Sequence, residues 1–306
     1  MKIFYETTFL KAKYTNQMIE RFSQVEFVRE ENQSLDCEAI IAMPGFLKKI
    51  NLDRYHNLKW VQLLTAGYDR IDLDYFKRRN IVLTNAKDVF SIQIAEDVFS
   101  KILYFNRNLK THIANMEDGI WKYIPARYEI AHSTVGIIGT GSIGMEIAKR
   151  MKAFDTQVIG YRKTPKQLPY FDQIYHNSVG LDQLYKESDY LIVAIPLNEH
   201  THHMVNEQAF KLMKKNAVVI NIARGEIIDQ DALITALKNH SIRGAGLDVM
   251  TPEPLPSQHE LWKMDNVLIT PHNASSSPFV NQRLITAVMD SIYRYIHHLD
   301  FNNRVI

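Results

Sequence analysis

The sequence predicts an α/β protein built on two doubly wound parallel sheets, and three observations carry that reading. At 306 residues the chain is longer than one hydrophobic core usually supports, so two domains of roughly 100–200 residues each are expected. Short apolar runs alternate with polar, helix-like connections along most of its length, the rhythm of strands joined by helical crossovers. Near the middle, Thr134-Val135-Gly136-Ile137-Ile138-Gly139-Thr140-Gly141-Ser142-Ile143-Gly144-Met145-Glu146-Ile147-Ala148-Lys149 gives an apolar run, a G-x-G-x-x-G turn and a stretch of helical spacing. Such a turn brings backbone N–H groups to a pyrophosphate at the positive end of a helix. The glycines alone specify little. Together with the strand before them, the helix after them and a second strand about 20 residues on, they predict a dinucleotide cofactor.

In chain order, the first unit shows the runs Ala39-Ile40-Ile41-Ala42-Met43, Trp60-Val61-Gln62-Leu63-Leu64 and Ile81-Val82-Leu83-Thr84, spaced as a parallel α/β unit. From about Ile92 to His112 an amphipathic stretch without Pro or Gly predicts one long helix leading out of that unit. Gly119 to Tyr128, with Trp121 and Pro125, reads as a loop before a strand beginning near Ser133. Strands are then expected at Val135–Ile138, Gln157–Tyr161, Tyr190–Ala194, Ala217–Ile222, Gly244–Asp248 and Val267–Thr270, the strand count of a doubly wound dinucleotide domain. Beyond Ser277, the helical spacing of Val280, Leu284, Ile285, Val288, Ile292 and Ile296 predicts a final helix that returns to the first unit. The expected division is therefore a discontinuous substrate domain, residues 1–96 with 277–306, and a dinucleotide-binding domain, residues 97–276. There is no internal repeat and no low-complexity segment.

Composition excludes several classes. With 46% hydrophobic and 23% charged residues the chain is neither disordered nor fibrous. A net charge of +2, without a Lys/Arg stripe interleaved with aromatics, argues against nucleic acid as a partner. Cys37 is the only cysteine, which rules out an intrachain disulfide and a cysteine-based metal site and fits a reducing cytoplasm. The N-terminus meets Glu6 before any signal-length apolar run, and no uncharged stretch is long enough to cross a bilayer; the expectation is a cytoplasmic, unanchored protein.

Ligands of open α/β sheets lie beyond the carboxyl ends of the strands, and three reactive residues stand there. Val218-Val219-Ile220-Asn221-Ile222 runs into Ala223-Arg224-Gly225, Gly246-Leu247-Asp248 leads to Thr251-Pro252-Glu253-Pro254, and Leu268-Ile269-Thr270 leads to Pro271-His272. Arg224 offers a planar donor fork to a carboxylate and its neighbouring carbonyl. His272 has a proton to give to that carbonyl oxygen, and a Glu253 carboxylate beside it favours the imidazolium form. These three types suffice for reduction of a 2-keto acid by a nicotinamide. Taken singly, Arg224 fits a surface or interdomain ion pair, and Glu253 and His272 fit ordinary loop residues.

Gly139-x-Gly141-x-x-Gly144, Asn221-Ile222-Ala223-Arg224-Gly225-Glu226-Ile227-Ile228-Asp229, Gly244-Ala245-Gly246-Leu247-Asp248-Val249 with Glu253-Pro254, and Pro271-His272 closely resemble the D-isomer-specific 2-hydroxyacid dehydrogenases. Pro196-Leu197 with Thr201, Ala66-Gly67-Tyr68-Asp69 and Ile94-Ala95-Glu96 extend the resemblance over most of the chain. It implies a Rossmann-type cofactor domain, a flavodoxin-like substrate domain and an active site in the cleft between them. It gives Arg224, Glu253 and His272 the catalytic roles. Cofactor contacts are implied for Gly139, Gly141, Ser142, Ile143, Gly144, Ile195, Pro196, Thr201, Ile222, Ala223 and Ala274, with Asp248 facing the nicotinamide carboxamide. Ala66, Gly67 and Tyr68 join Arg224 and His272 as substrate contacts, the first two through backbone N–H groups; the plain alternative for them is a simple turn, and for Asp248 a helix or loop cap. The partners implied are a small 2-keto or 2-hydroxy acid and a second copy, paired through the cofactor domains as a homodimer.

The chain departs from the family pattern twice. Where NAD-users carry an acid at the end of the second cofactor-domain strand, it reads Tyr161-Arg162-Lys163-Thr164. Cations and a hydroxyl there attract a 2′-phosphate where an acid would repel it, so NADP(H) is preferred and NAD(H) remains possible. This points to the glyoxylate/hydroxypyruvate reductase branch. The second departure is Asn273-Ala274-Ser275 in place of a glycine-rich sequence, which bears on substrate choice more than on chemistry.

Glu199-His200-Thr201-His202-His203 lacks the i, i+4 helical pair of zinc enzymes, and no metal is expected. Trp121, Tyr123 and Tyr128 are interface candidates. Competing readings are an NAD-dependent D-2-hydroxyacid dehydrogenase, a phosphoglycerate-type or formate-type dehydrogenase, and a cofactor-sensing corepressor-like binding protein. The complete Arg224, Glu253 and His272 set disfavours the last. A formate-type site needs a different partner for the histidine, and the long regulatory domain frequent in phosphoglycerate enzymes is not expected from these 306 residues.

Overall fold

In a computed structural model, which describes residues 1–6, 10–69 and 71–306, the chain divides into two compact units, Met1–Phe90 with Ser277–Ile306 and Ser91–Ser276. Each is an α/β layer structure around its own parallel sheet, as the alternating apolar runs predict.

The first unit contains β1 (Lys2–Tyr5), α1 (Ala12–Arg21), β2 (Glu26–Val28), β3 (Ala39–Ala42), α2 (Pro44–Leu47), β4 (Trp60–Leu63), α3 (Leu73–Arg78) and β5 (Val82–Thr84). All five strands are parallel, in the order β2-β1-β3-β4-β5, the flavodoxin-like order. The strands are short and buried on both faces: every residue of β3 and β4 is buried, which explains why they read as continuous apolar runs and not as alternation.

The second unit runs α4 (Ser91–Asn106), α5 (Leu109–Glu117), β6 (Thr134–Ile138), α6 (Ser142–Lys152), β7 (Gln157–Tyr161), β8 (Gln173–Tyr175), α7 (Ser178–Glu187), β9 (Tyr190–Val193), α8 (Glu207–Leu212), β10 (Val218–Asn221), α9 (Gln230–Lys238), β11 (Gly244–Leu247) and β12 (Val267–Ile269). Its sheet is parallel throughout, β12-β11-β10-β9-β6-β7-β8. The strand order reverses between β6 and β9, so the carboxyl ends on either side of that switch frame a crevice. Helix starts are fixed by side-chain caps where the sequence supplies them: Asn177 Oδ1 accepts from Gly180 N at 2.7 Å and Asp229 Oδ1 from Ala232 N at 3.1 Å. The last helix, α10 (Val280–Ile296), belongs to the first unit. It buries Leu284, Ile285, Val288 and Ile292, one stripe at helical spacing, and packs beside α1.

Two expectations need correction. The single helix expected over 92–112 is two, because Asn108 adopts a left-handed φ of 51° between α4 and α5. The second unit's sheet has a seventh strand, β8, a three-residue edge element that pairs with β7 through Ile159, Gly160 and Tyr161. Among the described residues, no helix is long and apolar enough to cross a membrane.

Candidate active site

In the second unit, a cavity of about 540 Å³ lies at the switch point, lined by Gly139, Gly141, Arg162, Lys163, Thr164, Ile195 and Thr201 among others. The three glycines of the turn are there for different reasons. Gly139 has φ +102°, and a methyl on it would stand 2.3 Å from Ala194 O. Gly144 lets α6 sit on the turn, since its methyl would lie 2.1 Å from Gly139 O. A methyl on Gly141 meets nothing within 4 Å: the space in front of it is open cavity. Backbone packing thus explains the outer two, while the middle one leaves its face open for a ligand to approach the backbone. Gly141 caps α6, with Ser142 and Ile143 as its first two residues, so the free N–H groups and the positive end of that helix suit a pyrophosphate. The donor set therefore fits a dinucleotide.

Arg162, Lys163 and Thr164 follow β7 directly and line this cavity. The loop after β9 forms another part of its lining. There Thr201 Oγ1 donates to Pro196 O at 2.8 Å and accepts from Asn198 N at 2.8 Å, fixing residues 195–201. Ser142, Ile143, Gly144, Pro196, Ile222, Ala223, Asp248 and Ala274 are not among the residues that line the cavity. Ile222, Ala223 and Ala274 are buried at the ends of β10 and in the turn after β12.

That next group of strand ends holds the candidate reactive residues. Strands β10, β11 and β12 are neighbours in the sheet, so the loops carrying Arg224, Glu253 and His272 emerge side by side. Asn221 shapes the first loop: its Oδ1 accepts from Ala223 N at 3.1 Å and its Nδ2 donates to Arg224 O at 2.9 Å. Gly225 presses that loop onto the next, since a methyl there would be 2.3 Å from the Met250 carbonyl. Glu253 Oε1 accepts from Met250 N at 3.1 Å, while Oε2 lies 2.7 Å from His272 Nδ1. With Nδ1 so engaged, Nε2 is the nitrogen left for a ligand, and the pair as a whole remains accessible, with side chains 47% and 31% exposed.

His272 adopts φ 50°, a left-handed conformation that a non-glycine residue holds only where its surroundings impose it. Asp248 imposes it. Its carbonyl accepts from His272 N at 2.8 Å, and its carboxylate accepts from Thr270 Oγ1 at 2.6 Å and from Asn273 N and Ala274 N at 3.0 Å each. Both oxygens of this buried carboxylate are thereby bonded within the turn, the arrangement of a loop cap. Residue order alone does not reveal these partners. Behind Asp248, burial holds the Asp97 carboxyl above the usual carboxylate range despite its ion pair with Lys101, and the Asp248 charge adds to that rise.

The first-unit residues Ala66, Gly67 and Tyr68 follow β4. Asn85 Nδ2 donates to Ala66 O at 2.7 Å and Thr65 Oγ1 to Gly67 O at 2.8 Å. This fixes the turn's orientation. Among the described residues no three His, Cys, Asp or Glu side chains gather as a metal site.

A family model described as "D-isomer specific 2-hydroxyacid dehydrogenase, NAD binding domain" matches residues 99–274. A glyoxylate reductase from Pyrococcus horikoshii is 36% identical over 253 residues, covering 79% of this chain and 75% of that one. A D-3-phosphoglycerate dehydrogenase from Methanocaldococcus jannaschii is 33% identical over 85% of this chain, which spans only 50% of its length. Among solved structures, an NADPH-dependent glyoxylate/hydroxypyruvate reductase from Sinorhizobium meliloti, in complex with NADP and malonate, superimposes with a TM-score of 0.80 at 27% identity, over 99% of this chain and 96% of that one.

Proposed function

The chain belongs to the D-isomer-specific 2-hydroxyacid dehydrogenases, a family of nicotinamide-dependent oxidoreductases, and from that premise we propose that it reduces a small 2-keto acid of the glyoxylate or hydroxypyruvate type to a D-2-hydroxy acid with NADPH. The observation that carries this reading is the 2.7 Å contact between His272 Nδ1 and Glu253 Oε2, on strand ends adjacent to that of Arg224. The second unit is the cofactor domain and the first the substrate domain. Bound NADPH supplies the hydride that goes to the keto carbon. Arg224 binds the substrate carboxylate and draws charge onto the keto oxygen. The His272 imidazolium, held by Glu253, gives that oxygen the proton from Nε2 and takes it back in the oxidative direction. Asp248 keeps the 270–274 turn in place and offers the second lone pair of Oδ2 to the nicotinamide carboxamide. Ala66 and Gly67, with Tyr68 beside them, offer the carboxylate their backbone N–H groups.

Support for NADPH comes from Arg162, Lys163 and Thr164 in the cavity wall, where a 2′-phosphate meets two cations and a hydroxyl. Support for a homodimer comes from α5, none of whose residues is buried. Leu109, Ile113 and Met116, at i, i+4 and i+7, form an exposed apolar face that continues into Ile120 and a fully exposed Trp121. A second copy of the chain covers it.

The test is steady-state oxidation of NADPH and of NADH with glyoxylate and with hydroxypyruvate. Keto-acid-dependent turnover with NADPH favoured is expected. Failure of both acids at saturating cofactor removes the assignment; equal rates with the two cofactors remove the NADPH preference alone.

A further inference from the structure

The histidine-rich run at 199–203, rejected as a metal site, contributes one of its three histidines to the cavity beside Thr201. His200 lines the same space as Arg162, Lys163 and Thr164, although it arrives from the loop after β9. Strands β9 and β7 flank β6 on opposite sides, so the loop carrying His200 and the Arg162 strand end stand on either side of the Gly139–Gly141 turn. The loop is braced: Asn198 Oδ1 accepts from His200 N at 2.9 Å, next to the Thr201 bonds already described. Glu199 lies near enough to pair, Oε1 to His200 Nε2 at 3.5 Å, but it is 85% exposed and does not line the cavity. His202 and His203 stack on each other with ring centroids 4.0 Å apart and stay outside it.

We propose that His200 is a specificity-determining residue for the phosphorylated cofactor, donating a ring N–H to the 2′-phosphomonoester from the side of the cavity away from Arg162. This rests on the NADPH reading above and extends it. A phosphomonoester carries between one and two negative charges and three acceptor oxygens near neutrality, and Arg162, Lys163 and Thr164 all approach it from the β7 end of the cavity. A donor from the second loop closes the charge in from the other. A cofactor without the 2′-phosphate presents nothing for this imidazole to hold, so its contribution is selective by construction. Because His200 is 71% exposed, the contact is screened, and its loss weakens binding by about 3- to 10-fold.

The experiment is direct binding to the purified, folded protein by titration calorimetry, with NADPH, NADH and adenosine 2′,5′-bisphosphate as ligands, for the wild type, His200→Ala, His200→Arg and Arg162→Asp. An unchanged melting temperature establishes that the exposed substitutions leave the fold intact. The expected result is that His200→Ala weakens NADPH and the bisphosphate, leaves NADH unchanged, and is rescued by His200→Arg. Equal weakening of NADPH and NADH overturns the proposal, since His200 would then act on the shared part of the ligand. If Arg162→Asp weakens NADPH while His200→Ala changes nothing, the proposal falls and the NADPH reading stands. If the wild type binds NADH as tightly as NADPH, the reading itself falls and this extension with it.

Discussion

The aliphatic stem of Lys101 lies across Gly246, so closely that a methyl on the glycine would stand 3.1 Å from both Cβ and Cδ of the lysine. Lys101 is completely buried, and its ammonium pairs with Asp97 one turn earlier on α4. Removing one member of a buried pair leaves an uncompensated charge, whereas removing both costs little. Lys101→Met is therefore expected to lower stability by about 3–5 kcal/mol, and the double change with Asp97→Leu by far less. Urea unfolding of the two variants checks this; equal losses would mean that packing of the stem, not the charge, is what matters. Gly246→Ala is expected to cost about 1–2 kcal/mol by overpacking against the same stem.

His272→Ala is expected to reduce kcat by about 10²- to 10⁴-fold, the usual worth of a positioned general acid, while NADPH binding stays near the wild-type value. Glu253→Gln keeps the shape but not the charge, so it should lower kcat less and move the pH profile of turnover. An unaltered profile would separate Glu253 from the state of the histidine.

Arg162→Asp replaces attraction for the 2′-phosphate by repulsion and restores an acceptor for ribose hydroxyls. The KM for NADPH is expected to rise about 10-fold or more, equivalent to at least about 1.4 kcal/mol, with the KM for NADH falling and kcat retained. A ratio of the two KM values equal to the wild type's would exclude Arg162 from cofactor discrimination.

Asp172 gives a pH test of the second unit. Burial works to raise its pKa, but the Val158 N–H, at 2.7 Å, and the Lys152 ammonium outweigh that and hold the carboxyl below the usual carboxylate range. A carboxyl depressed in the folded state stabilises above its unfolded value, about 3.9, and loses that contribution as pH falls through the folded value. The difference in melting temperature between the wild type and Asp172→Asn should be constant above about pH 5 and shrink below pH 4. A difference independent of pH would show that the ionised form contributes nothing.

The apolar face of α5 is testable in solution. Trp121→Ala together with Ile113→Asp should shift a dimer toward monomer in sedimentation velocity without lowering the melting temperature of the monomer. A wild-type protein that sediments as a monomer at micromolar concentration would refute pairing through this face.

The fold was legible in the sequence where burial is two-sided. β9 and β10, Tyr190–Val193 and Val218–Asn221, are continuous apolar runs that periodicity finds and that lie within a residue of their expected ends. β8 escaped because three partly exposed residues at a sheet edge have no period to detect. The break at Asn108 escaped because one residue in a left-handed conformation leaves the helical spacing on both sides intact. Nothing in the helical spacing of α4 marks Lys101 as buried, and the absence of a side chain at Gly246, far along the chain, makes room for it inside. The alignment of Arg224, Glu253 and His272 on neighbouring strand ends follows from strand order and was readable. The bonds of Asp248 to residues 270–274 and the position of His200 depend on loop paths that bring distant residues together, which no local pattern encodes.

The edge of the first unit's sheet is finished by residues near the other end of the sequence. Val305 N donates to Leu83 O at 2.8 Å, Thr84 bridges antiparallel to Arg304, and Asn303 Nδ2 reaches Asn85 O and Gln62 Oε1. During synthesis, β1 to β5 emerge first and must then wait while residues 91–276 are made, on the order of tens of seconds at 5–20 residues per second. Through that interval β5 presents an uncapped edge and the α1 side lacks α10, so the unit translated first is the one completed last. The nascent chain spends that time with an open strand edge of the kind that invites pairing between chains.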